Sequence, residues 1–349
     1  MMNGGCGLHP DGPPPILTGM TKVQRFPLAT TSAGHAPLRR PGSIRRTTSI
    51  DAEWPDGPGQ DFILTGLARD MATPADGGAP TELATGSFRL TLSPKREIVA
   101  LETVPSHPRA AEMVGVRAGG ASREALARRL GDIRGTPLFQ LIDDFAGASL
   151  VAGWALSRWM TPEQAFNVGK MKGTRDMTAV CTGFTPGSQA MDETGHPRFD
   201  VQSMTIVLPL ENPEDPEGWH QMPPMRGVRF RRARRIDIWR EADVLKVDAG
   251  FQDSATNPGG ERSAIHEYRV HAEVDPATGE LVAMQALPLI LPYAECPGAS
   301  IKASRMVRRN LAEFREAVPE VLRATLGCTH LNDVLRALTD VPVLAEQLA

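Results

Sequence analysis

The run His266-Glu267-Tyr268-Arg269-Val270-His271 carries the clearest candidate chemistry in the chain. Read as a strand, its alternation puts His266, Tyr268 and Val270 on one face and Glu267, Arg269 and His271 on the other. An imidazole is the usual general base near neutral pH. A phenol two residues along can orient or donate to the same substrate. The competing reading is a His-Tyr face that only covers a partly wet core.

Two arginine stripes come next. Arg39, Arg40, Arg45 and Arg46 lead into Ile50-Asp51, and Arg229, Arg231, Arg232, Arg234 and Arg235 lead into Ile236-Asp237. Neighbours on a strand face opposite ways, so one of Arg45/Arg46 and one of Arg234/Arg235 is expected to turn inward. An aspartate at the end of the following alternating run, Asp70 or Asp253, is the natural partner. Structural ion pairing is the first reading and binding of an anionic or phenolate group the second. Nucleic acid comes third, because no aromatic residues interleave the arginines and the net charge is -3.

Cys296, Cys328 and His330, with Glu295, form a weak soft-metal set whose spacing fits no standard zinc signature. Helix starts explain the same residues: Pro297 suits a first turn, Thr329 an N-cap, and Asn332 or Asp333 the positive end of a helix. No metal site is therefore expected. In Gly135 to Phe145 an apolar run ends in Asp143-Asp144. Close carboxylates can split their pKa values for acid–base work. Read as a strand, the two face opposite ways and answer the arginines instead.

The elements that must position these residues repeat. Phe62 to Asp70 and Leu245 to Asp253 are alternating runs, and each follows an arginine-led strand. Each is followed by a hairpin pattern, one turning at Ser93-Pro94-Lys95-Arg96 and the other at Asp275-Pro276-Ala277-Thr278-Gly279. Helices are expected at Ala121 to Leu130, Ile301 to Val318 and Thr329 to Leu338. The fold class is thus α+β. Two related antiparallel β-sheet repeats, each followed by helices, are expected to pack about a pseudo-twofold axis with a central cleft. The divisions are an irregular N-terminal leader (1–36), a first β-rich repeat with helix (37–156), a Gly/Pro/Met-rich linker or lid (157–224) and a second repeat with C-terminal helices (225–349). Met160, Met171, Met177 and Met191 in the linker offer an adaptable apolar surface or simply anchor a loop.

The 349 residues suffice for two domains, and 41% hydrophobic content is that of a globular chain. Four cysteines without a CxxC pair argue against a zinc ribbon or a disulfide scaffold. No signal-peptide run and no stretch of about 18 apolar residues occurs, so a cytoplasmic protein outside the membrane is expected. No P-loop, Rossmann glycine set, Gly-x-Ser-x-Gly elbow or HExxH occurs, so no cofactor is indicated.

Gly327-Cys328-Thr329-His330-Leu331-Asn332-Asp333, His266-Glu267-Tyr268 and Pro292 to Ala299 together resemble the bacterial family called domain of unknown function 2889. Arg39 to Thr48, Pro137 to Asp144 and Asp215 to His220 resemble its longer members, so the resemblance covers most of residues 37–345. It implies bacteria that degrade aromatics and steroids, and kinship with a phenylcoumaran γ-formaldehyde lyase of lignin-dimer breakdown. It assigns no residues.

Two functions follow as expectations. The first is a cofactor-independent lyase on a hydrophobic phenolic molecule, releasing formaldehyde to give a stilbene. His266, Tyr268 and Asp253 would be catalytic, and Arg46, Arg235, Asp70, Tyr293 and His330 would bind substrate. The second is a non-catalytic small-molecule binding or accessory protein of aromatic or steroid catabolism. A homo-oligomer is compatible with either.

Overall fold

The computed structural model describes residues 23–161, 164 and 176–348. The first 22 residues of the leader, and Met171 of the linker, lie outside the described residues. The fold is α+β and centres on one large antiparallel sheet. The first four strands are β1 (Ser43–Glu53), β2 (Phe62–Thr73), β3 (Thr81–Leu92) and β4 (Ile98–Val104). The others are β5 (Thr205–Val207), β6 (Phe230–Glu241), β7 (Val244–Thr256), β8 (Arg262–Val274) and β9 (Leu281–Ile290). Their order is β4-β3-β2-β1-β6-β7-β8-β5, and β9 also pairs with β8.

The two arginine-led strands, β1 and β6, lie side by side at the middle, with Arg46 opposite Ile236 and Ile50 opposite Arg232. Meanders run outward from this seam, to β4 on one side and to β9 on the other. Both expected hairpins form. In the second, Gly279 has a φ of 73°, a conformation that favours glycine.

Alternation along the central strands sorts their side chains. Ile44, Arg46, Thr48 and Ile50 of β1 share one face with Phe230, Arg232, Arg234 and Ile236 of β6. Helices cover this face. The first three are α1 (Gly120–Arg129), α2 (Pro137–Val151) and α3 (Trp154–Ser157). The C-terminal ones are α4 (Gly298–Lys302), α5 (Phe314–Val321), α6 (Thr329–Ala337) and α7 (Val341–Ala345).

Two apolar clusters form here. One joins Ile50, Leu64, Phe88 and Phe230 to Leu138, Leu141 and Phe145 of α2. The other joins Ile44, Ile236, Val247 and Tyr268 to Phe314, Leu331 and Leu335. Each fully buried Leu, Ile or Phe contributes about 2 kcal/mol, so these clusters drive folding. A strip of buried charge runs between them. Buried ion pairs roughly break even against their desolvation, so the strip's contribution is register more than stability.

The opposite face is covered by the stretch that ends at residue 224: Leu210 and Trp219 pack with Ala36 on Ala233. The same stretch supplies β5.

Three local readings change. Gly135 to Phe145 is not a strand but the start of α2. Thr136 Oγ1 accepts from the Phe139 N–H at 3.2 Å, and Pro137 occupies the first turn, where its missing N–H costs nothing. Ile301 to Val318 is not one helix. It breaks into 3-10 turns around Arg308, whose φ is 69°, and Asn310, which bridges to Glu280. Finally, Thr329 is the first residue of α6 and does not cap it; Cys328 holds the N-cap position without a side-chain hydrogen bond.

A candidate site of two stacked histidines on an ion-paired aspartate

Asp253 anchors the site near the end of β7, and its side chain is fully buried. Arg232 of β6 grips it with two hydrogen bonds, Nε to Oδ1 at 2.8 Å and Nη2 to Oδ2 at 2.9 Å. The free edge of the same guanidinium reaches the helices. Its Nη1 donates to Asp144 Oδ1 of α2 at 3.1 Å and to Asp333 Oδ2 of α6 at 3.0 Å. Arg234 donates to the other Asp144 oxygen at 2.9 Å, and Arg123 of α1 to the other Asp333 oxygen at 2.7 Å. Asp333 is thus committed to arginines, not to the dipole of its own helix. Gly147 of α2 lies over this junction; a methyl there would overlap both Arg232 Nη1 and Asp333 Oδ2.

His266 faces Asp253 across the β7–β8 ladder, and the register slips immediately beyond that pair. Such a bulge re-aims the side chains beside it. His266 Nδ1 lies 3.4 Å from Asp253 Oδ2, and His330 Nε2 lies 3.7 Å from the same oxygen. The imidazoles stack with centroids 3.4 Å apart and planes 18° apart. Among the described residues His266 Nδ1 has no hydrogen-bond partner. His330 Nδ1 has only long contacts, 3.7 Å to Cys328 Sγ and 3.4 Å to Thr329 Oγ1. Beneath, the Tyr268 hydroxyl lies against the Cys328 thiol without a well-formed hydrogen bond. The two histidine side chains still reach the surface, 10% and 12% exposed.

The electrostatics divide the roles. Burial alone would raise the Asp253 carboxyl, but the Arg232 guanidinium outweighs it and holds the group below the usual carboxylate range. Asp253 is therefore a fixed anion with little affinity for a proton. Burial lowers His266, and Asp253 only partly offsets it. Burial and the neighbouring His266 push His330 lower still. Both imidazoles are neutral at pH 7, each with a lone pair available. Burial raises Tyr268 and Cys328, so the phenol and thiol stay protonated. Among the described residues, the group able to hold a metal is Asp253, His266 and His330.

The other candidate residues lie elsewhere. Arg46 and Asp70 form their own bidentate pair at 2.6 and 2.7 Å in the first meander. Arg46 also donates to Gln140 and Asp340. Arg235 points to the opposite face, where Asp237 and Asp248 hold it. Tyr293 is buried, accepts from Gln202 at 3.0 Å and donates to the Arg198 carbonyl at 3.3 Å. The soft-metal set does not assemble around His330: Glu295 accepts from the Gln189 N–H at 3.0 Å and from Arg25 at 3.3 Å. Asp143 answers Arg315 and Arg336. Their charges overcome burial and hold it at about 2.

The inward partner of Asp253 is Arg232, not Arg234 or Arg235. The arginine-to-aspartate offset differs between the halves, 24 residues for Arg46–Asp70 and 21 for Arg232–Asp253, so spacing along the chain does not single out Arg232. Asp143 and Asp144 answer arginines, as their pairing suggests, but nothing local points Gly147 and Asp333 to Arg232, because only the packing of α2 and α6 brings them there.

Among the described residues no helix is long and apolar enough to cross a membrane. No curated protein and no solved structure matches the chain. Residues 230–344 match the model of a family described as a protein of unknown function (DUF2889), and this span holds Arg232, Asp253, His266, Tyr268, Cys328 and His330. Over this C-terminal segment, about a third of its length, the chain is similar to the DUF2889 family.

Proposed function

We propose that the protein is a lyase acting on a hydrophobic phenolic molecule that carries a hydroxymethyl group. The observation that carries this reading is the pair of neutral imidazoles at the surface edge of a buried, fixed carboxylate. One imidazole, His266, takes the hydroxyl proton. The bond between the hydroxymethyl carbon and its neighbour then breaks, and formaldehyde leaves. The electron pair forms a carbon–carbon double bond as an aryl ether oxygen departs as phenolate, giving a stilbene. The phenolate recovers a proton from the imidazolium, and Asp253 stabilises that imidazolium while it exists. Atoms and electrons balance without an organic cofactor.

The scaffold fits this one-sided chemistry. We take the two meanders as copies about a pseudo-twofold axis at the β1–β6 seam. Arg45 pairs with Asp237 and Arg231 with Asp51 at mutually symmetric positions of the ladder, which supports that reading. The halves would then be the 37–156 and 225–349 repeats, with 157–224 passing between them.

Purified protein incubated with a phenylcoumaran-type dimer should release formaldehyde and a stilbene in equal amounts. His266→Asn should lower kcat/KM by roughly 100-fold or more, the usual worth of a general base. Because burial lowers both imidazoles, activity should persist as pH falls through 6.5 and be lost only below it. Full turnover by His266→Asn would end the assignment.

A second reading is a binding protein. It draws on a cleft of about 410 Å³ beside Phe26, Thr182, Glu295 and Lys302, away from the histidines. Thermal stabilisation by the same dimers without product, lost in Lys302→Ala, would favour it.

A further inference from the structure

We infer that Asp253, His266 and His330 form a binding site for one divalent transition-metal ion of the zinc type. The inference uses the site of the proposed lyase but not its reaction.

One ligand atom from each of the three residues lies within 4.8 Å of the other two. The carboxylate-to-imidazole separations are 3.4 and 3.7 Å. Ligands bound tetrahedrally at about 2.1 Å stand roughly 3.4 Å apart, so both separations suit a shared ion. They suit a hydrogen bond poorly. A nitrogen donating to an ionised carboxylate closes to about 2.8 Å, whereas here the buried His266 Nδ1 has no hydrogen-bond partner among the described residues.

The carboxylate is braced from behind as metal ligands usually are. Arg232 fixes both oxygens, and Asp144 and Asp333 fix Arg232. Both imidazole side chains keep some exposure, 10% and 12%, so water or a substrate oxygen can approach the site, as a catalytic ion needs. The rings stack and do not converge, so His330 must turn to bring Nε2 to the ion. Among the described residues its other polar contacts are the long ones to Cys328 and Thr329, and these offer little resistance. The first meander provides an internal control: Asp70 has the same arginine clamp, but Ala84 stands where His266 would be.

The test uses the full-length protein, stripped with a chelator and titrated with Zn²⁺ by calorimetry and with Co²⁺ by visible absorption. One equivalent should bind. Co²⁺ should develop the intense bands of four- or five-coordination. His330→Ala and His266→Ala should each weaken binding at least about 10-fold, with the circular dichroism unchanged. Asp70→Asn should leave binding unaltered. Binding that survives both histidine variants would place the ion on other histidines and overturn the inference, as would the absence of any binding. Lyase turnover by stripped protein that binds no Zn²⁺ would sink the metal site alone. Stoichiometric metal without turnover would sink the reaction alone.

Discussion

Arg46–Asp70 and Arg232–Asp253 are the same device built twice. Each arginine clamps its aspartate through Nε and Nη2, and each sends Nη1 up to the helices. The β2–β3 ladder slips just past Asp70, as the β7–β8 ladder slips just past Asp253. The difference lies in what stands across the ladder. Opposite Asp70 is Ala84, and two residues on is Gly86, whose missing side chain lets Leu138 of α2 come down onto the sheet; a methyl there would sit 2.8 Å from the Leu138 Cβ. Opposite Asp253 is His266, followed by Tyr268. One end is closed by apolar packing and the other holds two imidazoles. The ion pair is therefore scaffold, and any chemistry is what the second end adds to it.

The largest expected effect tests whether the clamps are equivalent as scaffold. Asp70→Ala and Asp253→Ala each remove the bidentate partner of a buried arginine, leaving its Nε and Nη2 unpaired by that carboxylate, and should each cost about 3–5 kcal/mol in urea denaturation. Only Asp253→Ala should also abolish formaldehyde release at temperatures where both variants are folded. An Asp70→Ala protein as stable as the parent would break the comparison.

A second contrast sets His220 against the stacked pair. His220 is buried on the opposite face of β1, where its ring nitrogens bond Thr47 at 2.9 Å and Ser49 at 2.7 Å. Burial, with Arg69 and Arg231 nearby, lowers it from 6.5 to about 3. The unfolded chain therefore takes up this proton first. Its contribution is complete above pH 6.5 and declines as pH falls towards 3, with a slope of up to about 1.4 kcal/mol per pH unit. His220→Gln should flatten acid unfolding in that window without touching activity. An unchanged acid profile would mean that the stacked pair carries the sensitivity.

The smallest effect concerns α2, which serves both ends. It offers Gln140 to Arg46 and Asp144 to Arg232, one turn apart. Thr136→Ala removes its cap and should cost about 1 kcal/mol in thermal or urea unfolding. If the helix steadies both clamps, the loss should be uncoupled from which meander is probed by hydrogen exchange.

Much of the sheet was legible because alternation is local. The strands, both hairpins and the answering of inward arginines by Asp70 and Asp253 were all read from spacing. The site was half legible. His266 and Asp253 sit on paired strands, but His330 joins them only through the packing of α6, and in the sequence it stands beside Cys328 in a set with Cys296 that the fold does not assemble. The first apolar residues of α2 read as a strand on their own, although Thr136-Pro137 announces a helix start and the run extends for 15 residues. The choice of Arg232 over Arg234 as partner of Asp253 depends on ladder register, which single-strand alternation does not specify.

The bond from Arg46 to Asp340 spans 294 positions of the chain. On the ribosome, the opening strand of the sheet is made long before the carboxylate that completes its charge balance. A nascent chain halted short of β6 keeps the first meander without its neighbour, and one halted short of Asp340 keeps Arg46 without that partner. Synthesis through Asp340 is thus a condition for completing the charge balance at the centre of the sheet, and an abortive product should be recognised by proteases as unfinished.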